Sequence, residues 1–268
     1  MTRSPFLPAP LPLHHVSAGP TVPGAGGEPL IFIHGLGCDL SLWETVAATF
    51  EPRHRVVRYD LRGHGLSECG PAEATIDDHV HDLTALLDRL AIPRATLIGI
   101  SVGGMIALAT ALRNPARVRK LVLCATAARI RTRESWTERM NLVRTQGLEA
   151  VADMILGRWV MPEFAAREPA AVRALRASLA RTPVAGYLAM CATLRDTNLR
   201  ARAEGLRLPA LVLSGQHDVV VPPAVGRELA DILPDAHWQV LKGCAHLPVV
   251  EQPAAVTAAI TRFLTERT

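Results

Sequence analysis

Apolar positions in this chain alternate between short continuous runs and one-sided stripes. Residues 30–34 (LIFIH) and 55–60 (RVVRYD) are brief β-branched and apolar runs stopped by glycine or polar residues. That is the form of a strand buried on both faces, and a helix candidate lies between the two. Residues 76–90 place Ile76, Val80, Leu83, Leu87 and Leu90 three or four apart, which predicts a one-faced helix capped by Thr75. A strand at 95–100, a small-residue helix at 102–113 closed by Asn114-Pro115, and a strand at 118–124 follow. After a gap come a strand at 210–214, a helix at 224–233, a strand at 238–241 and a terminal helix at 254–264. Strands alternating with helices predict the α/β class, with a mostly parallel central sheet covered on both faces.

The gap has helical periodicity and no convincing strand, and it holds Trp136, Trp159, Tyr187 and many arginines. We read it as a helical lid inserted after a core strand. The chain then divides into core at 1–126, lid at 127–206 and core again at 207–268. The plainer alternative is that this stretch continues the outer helical layer. The Pro/Gly-rich residues 19–27 read as a loop.

Composition narrows the class of partner. The chain has 268 residues, 49% apolar and 20% charged, which suits one folded globular domain. The net charge of +4 comes from scattered arginines without a basic run or aromatic-interleaved patch, so nucleic acid is not an expected partner. Five widely spaced cysteines, with no CxxC pair, suggest neither a disulfide framework nor a metal site. Prolines at 5, 8, 10 and 12 interrupt any export-type helix in residues 1–13. The most apolar stretch, 97–112, is shorter than the ~20 residues a membrane helix needs. A cytoplasmic protein is expected.

The chemistry sits at predicted strand ends. Gly99-Ile100-Ser101-Val102-Gly103 joins a strand to a helix, the context in which G-x-S-x-G lifts a serine out of a strained turn. A glycine-rich turn with an incidental serine is the bland alternative. A serine hydroxyl needs a base to take its proton and an acid to orient that base. Asp218 follows the strand at 210–214 and His246 follows the strand at 238–241, so the order serine, acid, histidine is complete. His217 reads as a wall of the pocket. The backbone N–H groups of Leu36, in His34-Gly35-Leu36-Gly37, and of Val102 are the candidate donors to an oxyanion. Asp60, Arg62 and His64 gather after another strand, and we read Asp60 and Arg62 as a buried ion pair that ties loops together.

In this order the motifs resemble the α/β-hydrolase superfamily from residue 30 to residue 264. The segments Gly35-Leu36-Gly37-Cys38-Asp39-Leu40-Ser41-Leu42-Trp43, RYDLRGHGLSE at 58–68, CATAARI at 124–130, and Gly186-Tyr187 with Cys191 and residues 196–200 are similar to the 3-oxoadipate enol-lactonases of aromatic-compound catabolism. His34-Gly35 departs from that pattern, where Asn-Ser is expected. The resemblance implies an α/β-hydrolase fold and cofactor-free, metal-free hydrolysis of a small carboxylated lactone or ester. It also calls for a cation on the substrate carboxylate. Arg129, Arg133 and Arg158 are candidates, with Trp136, Trp159 and His34 as further pocket residues. A broad carboxylesterase, another lactonase or a C–C bond hydrolase on the same fold is the alternative activity, and a non-catalytic hydrolase-like receptor is the alternative from another class. Oligomeric state is not read from the sequence.

Overall fold

The computed structural model describes residues 11–21, 26–70 and 72–265. Most of the proline-interrupted 1–13 stretch, and residues 22–25 of the expected 19–27 loop, lie outside them. The strands are β1 (His15–Ala18), β2 (Gly27–Ile33), β3 (His54–Tyr59), β4 (Ala95–Ile100), β5 (Val118–Cys124), β6 (Ala210–Gly215) and β7 (Ala236–Leu241). They form one seven-stranded sheet in the order β1-β3-β2-β4-β5-β6-β7. Every pairing is parallel except β1 on β3. All six residues of β4 and of β6 are buried, as expected for strands covered on both faces, whereas the edge strand β7 is mostly half-buried.

The helices are α1 (Glu44–Ala48), α2 (Ile76–Arg89), α3 (Val102–Arg113), α4 (Arg133–Leu156), α5 (Pro162–Arg167), α6 (Pro169–Arg181), α7 (Val184–Asp196), α8 (Arg200–Ala203), α9 (Pro223–Ile232), α10 (Pro248–Glu251) and α11 (Pro253–Thr265). Thr75 caps α2 in a reciprocal capping box with Asp78, so two otherwise orphaned N–H groups are satisfied at its start. The helix candidate between β2 and β3 is short, a 3-10 turn at Leu40–Trp43 running into α1. From 125 to 209 the chain makes only helices, and α4 breaks at Gly147, where φ is +79°. No helix among the described residues is long and apolar enough to cross a membrane.

Topology decides where a site can form. The chain winds from β2 outward to β3, then crosses back to lay β4 on the other side of β2 and continues through β5, β6 and β7. Loops leaving β2 and β4 therefore diverge, and a crevice opens at the carboxyl ends of these neighbouring strands. The segments carrying Leu36, Ser101, Asp218 and His246 all follow the carboxyl ends of sheet strands: β2, β4, β6 and β7.

Candidate active site

Ser101 sits between β4 and α3 with φ +55° and ψ −123°, a conformation costly for any residue with a Cβ. The turn is held on both sides: Ser101 N–H donates to Cys124 O at 2.9 Å, and Thr126 Oγ1–H donates to Ser101 O at 2.6 Å. Gly99 and Gly103 are needed because the start of α3 nearly touches β4 at one and the end of β2 at the other. A Cβ on Gly99 would overlap the Gly103 carbonyl, and one on Gly103 would overlap the Ile33 carbonyl. The glycines thus let the turn close while Ser101, 8% exposed, faces a cavity.

Asp218 and His246 come together across two loops. His246 Nδ1 lies 2.8 Å from Asp218 Oδ2, with both side chains buried. The other carboxylate oxygen accepts Val220 N–H at 2.7 Å and Val221 N–H at 2.9 Å, which fixes the carboxylate before it orients the ring. A carboxylate only accepts, so the neutral imidazole carries its proton on Nδ1 and keeps a lone pair on Nε2. His246 and Ser101 line the same cavity, of about 360 Å³. His217, expected as a pocket wall, is instead exposed, and its N–H donates to Cys244 O at 2.9 Å.

Leu36 lines this cavity too, beside Gly35. Val102 opens α3, so its N–H belongs to the first turn, where a helix has no acceptor of its own. It offers only backbone, since its side chain is fully buried. A Cβ on Gly35 would sit 3.6 Å from Ser101 Cβ, in ordinary contact. The glycine at this departure from the enol-lactonase pattern therefore leaves extra room beside the hydroxyl, without being demanded by the fold.

The cavity roof is built by α4 and the segments on either side of it. Trp136 and Trp159 line it as expected, with the Trp136 indole N–H anchored on Ile130 O at 2.7 Å. Of the three arginines singled out, only Arg158 lines it. Arg133 instead pairs with Asp196 at 2.7 Å, and Arg129 is exposed in a separate small crevice beside Arg200 and Glu228. The reason is helical phase. Leu142, which lines the cavity, is nine residues beyond Arg133, about two and a half turns on, so the two point to opposite sides of α4. Arg139, three residues after Trp136, shares the cavity side, and Arg131 enters from the turn before α4, at φ +59°. Both were missed in the sequence. The i+3 spacing from Trp136 was a usable signal for Arg139, and nothing marked Arg131. Burial and the like charges of Arg158 and Arg139 lower the Arg131 pKa against the opposing pull of Glu138, which lines the same cavity, so the three guanidinium groups and this carboxylate share one field. Arg139 also makes a long 3.4 Å hydrogen bond to the Tyr187 hydroxyl. Tyr187 reaches the cavity because α7 packs backbone to backbone at Gly186 on Gly63, where a side chain on either would collide.

Two further expectations are corrected. Arg62 does not pair with Asp60 but with Asp82 of α2, at 2.7 and 2.9 Å. Asp60 accepts the N–H groups of Leu40 and Leu66 and pairs with His14. Both lie in the connection after β3, where the turning backbone sends the two side chains to different elements. His34 is not a substrate residue: it is fully buried, with Nδ1 2.8 Å from Gly35 O while Nε2 accepts Leu61 N–H at 2.9 Å. Acceptance at Nε2 while Nδ1–H donates requires the neutral ring, and burial lowers its pKa.

Behind His34, burial pushes His64 and His79 down to about 3. The unfolded chain takes up these protons near pH 6.5, so the stability gained from neutral rings is complete above that pH and is lost as pH falls toward 3. At pH 5 the loss is about 2 kcal/mol per ring, before most carboxylates titrate. The melting temperature is therefore expected to drop by several degrees between pH 7.5 and 5.0 in calorimetry, and a flat profile would contradict the buried-neutral assignment.

Among the described residues no group of three or more His, Cys, Asp or Glu side chains is placed to hold a metal ion. A family model described as the alpha/beta hydrolase fold matches residues 28–253. 3-oxoadipate enol-lactonase 2 of Acinetobacter baylyi is 36% identical over 231 residues, covering 86% of each chain. 3-oxoadipate enol-lactonase 1 of the same organism is 30% identical, covering 88% of each. The crystal structure of the enol-lactonase from Burkholderia xenovorans superposes with a TM-score of 0.92 at 37% identity, over 96% of this chain and 97% of that one.

Proposed function

The chain belongs to the α/β-hydrolase family, and from that premise we propose that it is a carboxylic ester hydrolase that opens 3-oxoadipate enol-lactone to 3-oxoadipate in aromatic-compound catabolism. The observation that carries this reading is a single cavity lined by Ser101 and His246 at its base and by Arg131, Arg139 and Arg158 above. Such a site offers a nucleophile to a carbonyl and cations to a carboxylate on the same small molecule.

Ser101 Oγ attacks the lactone carbonyl carbon while its proton passes to His246 Nε2, and Asp218 stabilises the imidazolium that results. The carbonyl oxygen becomes an oxyanion, held by the N–H groups of Leu36 and Val102. On collapse the ring C–O bond breaks, and the leaving oxygen departs as an enol protonated from His246, which becomes the ketone. That exit is easier than an alkoxide. Water, deprotonated by His246, then attacks the acyl-serine and releases the second carboxylate. His246 returns the proton taken from that water to Ser101 Oγ, which restores the free enzyme, and the released enol tautomerises to the ketone by proton exchange with solvent.

Residues 127–206 serve as the lid, placing the arginines and both tryptophans over the strand ends. The unbridged state of all five cysteines supports a reducing, cytoplasmic setting. Arg131→Ala and Arg158→Ala are each expected to raise KM for the carboxylated lactone about tenfold, since a charge-assisted hydrogen bond to an anion is lost. Their kinetics on a neutral aryl ester should stay at the parent level. Steady-state assays on both substrates check this, and equal losses on the two would remove the arginines from carboxylate recognition.

A further inference from the structure

Glu251, the last residue of α10, is a buried carboxylate with both oxygens committed to backbone. Its Oε2 accepts Ala245 N–H at 2.7 Å, and its Oε1 accepts Met161 N–H at 2.7 Å. Ala245 precedes His246. On the other side of His246, Leu247 N–H donates to Trp159 O at 3.0 Å. Both chain neighbours of the proposed base are thus tied to the stretch 159–161, one through the Glu251 carboxylate and one directly. That stretch carries Trp159, a wall of the cavity, and it leads into α5.

We infer that Glu251 is a positioning residue that couples the placement of the His246 imidazole to the docking of the Trp159 wall of the substrate cavity. The inference rests on His246 being the base, as proposed above. The chemistry favours a carboxylate at this point. Two N–H donors converge on one side chain, and an anion accepts from both; burial raises the Glu251 pKa, and the two backbone bonds offset part of that cost. An amide of the same shape has one accepting oxygen and must turn its NH2 group toward the other donor. Glu251→Gln therefore keeps the volume and breaks one arm. Met161 allows the complementary cut: its φ of −65° is that of proline, so Met161→Pro removes the donor to Oε1 while the Ala245 arm stays.

The test measures kcat per reactive serine, counted by titration with a fluorophosphonate, at a temperature where circular dichroism shows each variant folded. Glu251→Gln is expected to lower kcat per titrated serine about tenfold or more on both the enol-lactone and p-nitrophenyl acetate, because the base itself is misplaced. Met161→Pro is expected to raise KM for the lactone several-fold, with a smaller change in kcat. A merely structural role would lower the yield of titratable serine and leave kcat per serine at the parent value, and that result overturns the inference. If Glu251→Gln does not fold, Met161→Pro decides: parental KM and kcat per serine on the lactone overturn the coupling. An unmodified protein active on p-nitrophenyl acetate but inactive on the lactone would refute the substrate reading while leaving Glu251 testable on the ester.

Discussion

Ser101→Ala is expected to abolish hydrolysis of the enol-lactone, lowering kcat by about 10⁴-fold or more, because no acyl-enzyme can form without Oγ. Residual turnover would come from binding and oxyanion stabilisation alone. The substitution removes one oxygen from a nearly buried position whose backbone is held by Cys124 and Thr126, so the fold and the arginine roof should persist. Binding of a dicarboxylate product, measured by calorimetry, should then stay within a few-fold of the parent. Stopped-flow and steady-state assays read the kcat loss, and intact-mass spectrometry should show fluorophosphonate labelling of the parent only. A Ser101→Ala protein that retains a tenth of parental activity would remove the serine from the mechanism.

Asp218→Asn is expected to lower kcat by about 10³- to 10⁴-fold while leaving KM nearly unchanged. The two oxygens of Asp218 do different work: one accepts the Val220 and Val221 N–H groups, and the other holds His246 Nδ1. The amide can keep its oxygen on the loop donors, so the loop survives. Its NH2 group then faces Nδ1, which favours the ring form with the proton on Nε2, and that form cannot take the Ser101 proton. Measuring kcat across pH, with circular dichroism to confirm folding, separates this from collapse of the loop. Full activity in Asp218→Asn would show that another group orients the ring.

The strand-and-helix alternation was legible because each parallel strand is a compact apolar run and each covering helix a stripe, and the turn at Ser101 lies where one becomes the other. Asp218 and His246 were legible for the same reason, each standing just beyond a recognisable strand. β1 was not legible: it is four residues at the sheet edge, with two exposed and no apolar run, and only its pairing with β3 makes it a strand. The arginines were half-legible. Which side of α4 meets the cavity depends on how α4 packs on α6 and α7, so Arg133 and Arg139 look alike in the sequence although one faces Asp196 and the other the cavity. Asp60 and Arg62 mislead because closeness along the chain is not closeness in space once β3 has ended at Tyr59: Asp60 turns to Leu40, Leu66 and His14, and Arg62 turns to Asp82 of α2. His34 misleads because the loop it begins does reach the cavity, at Gly35 and Leu36, while its own ring turns inward to Leu61.

The most direct test of the central claim compares kcat/KM of the purified protein on 3-oxoadipate enol-lactone with that on the same lactone esterified at its free carboxylate. A serine at the base of the cavity and arginines above it predict a preference of about 100-fold or more for the charged lactone, the sum of two or three lost charge-assisted contacts in the ester. Equal efficiency on the two, or a preference for the neutral ester, would contradict it.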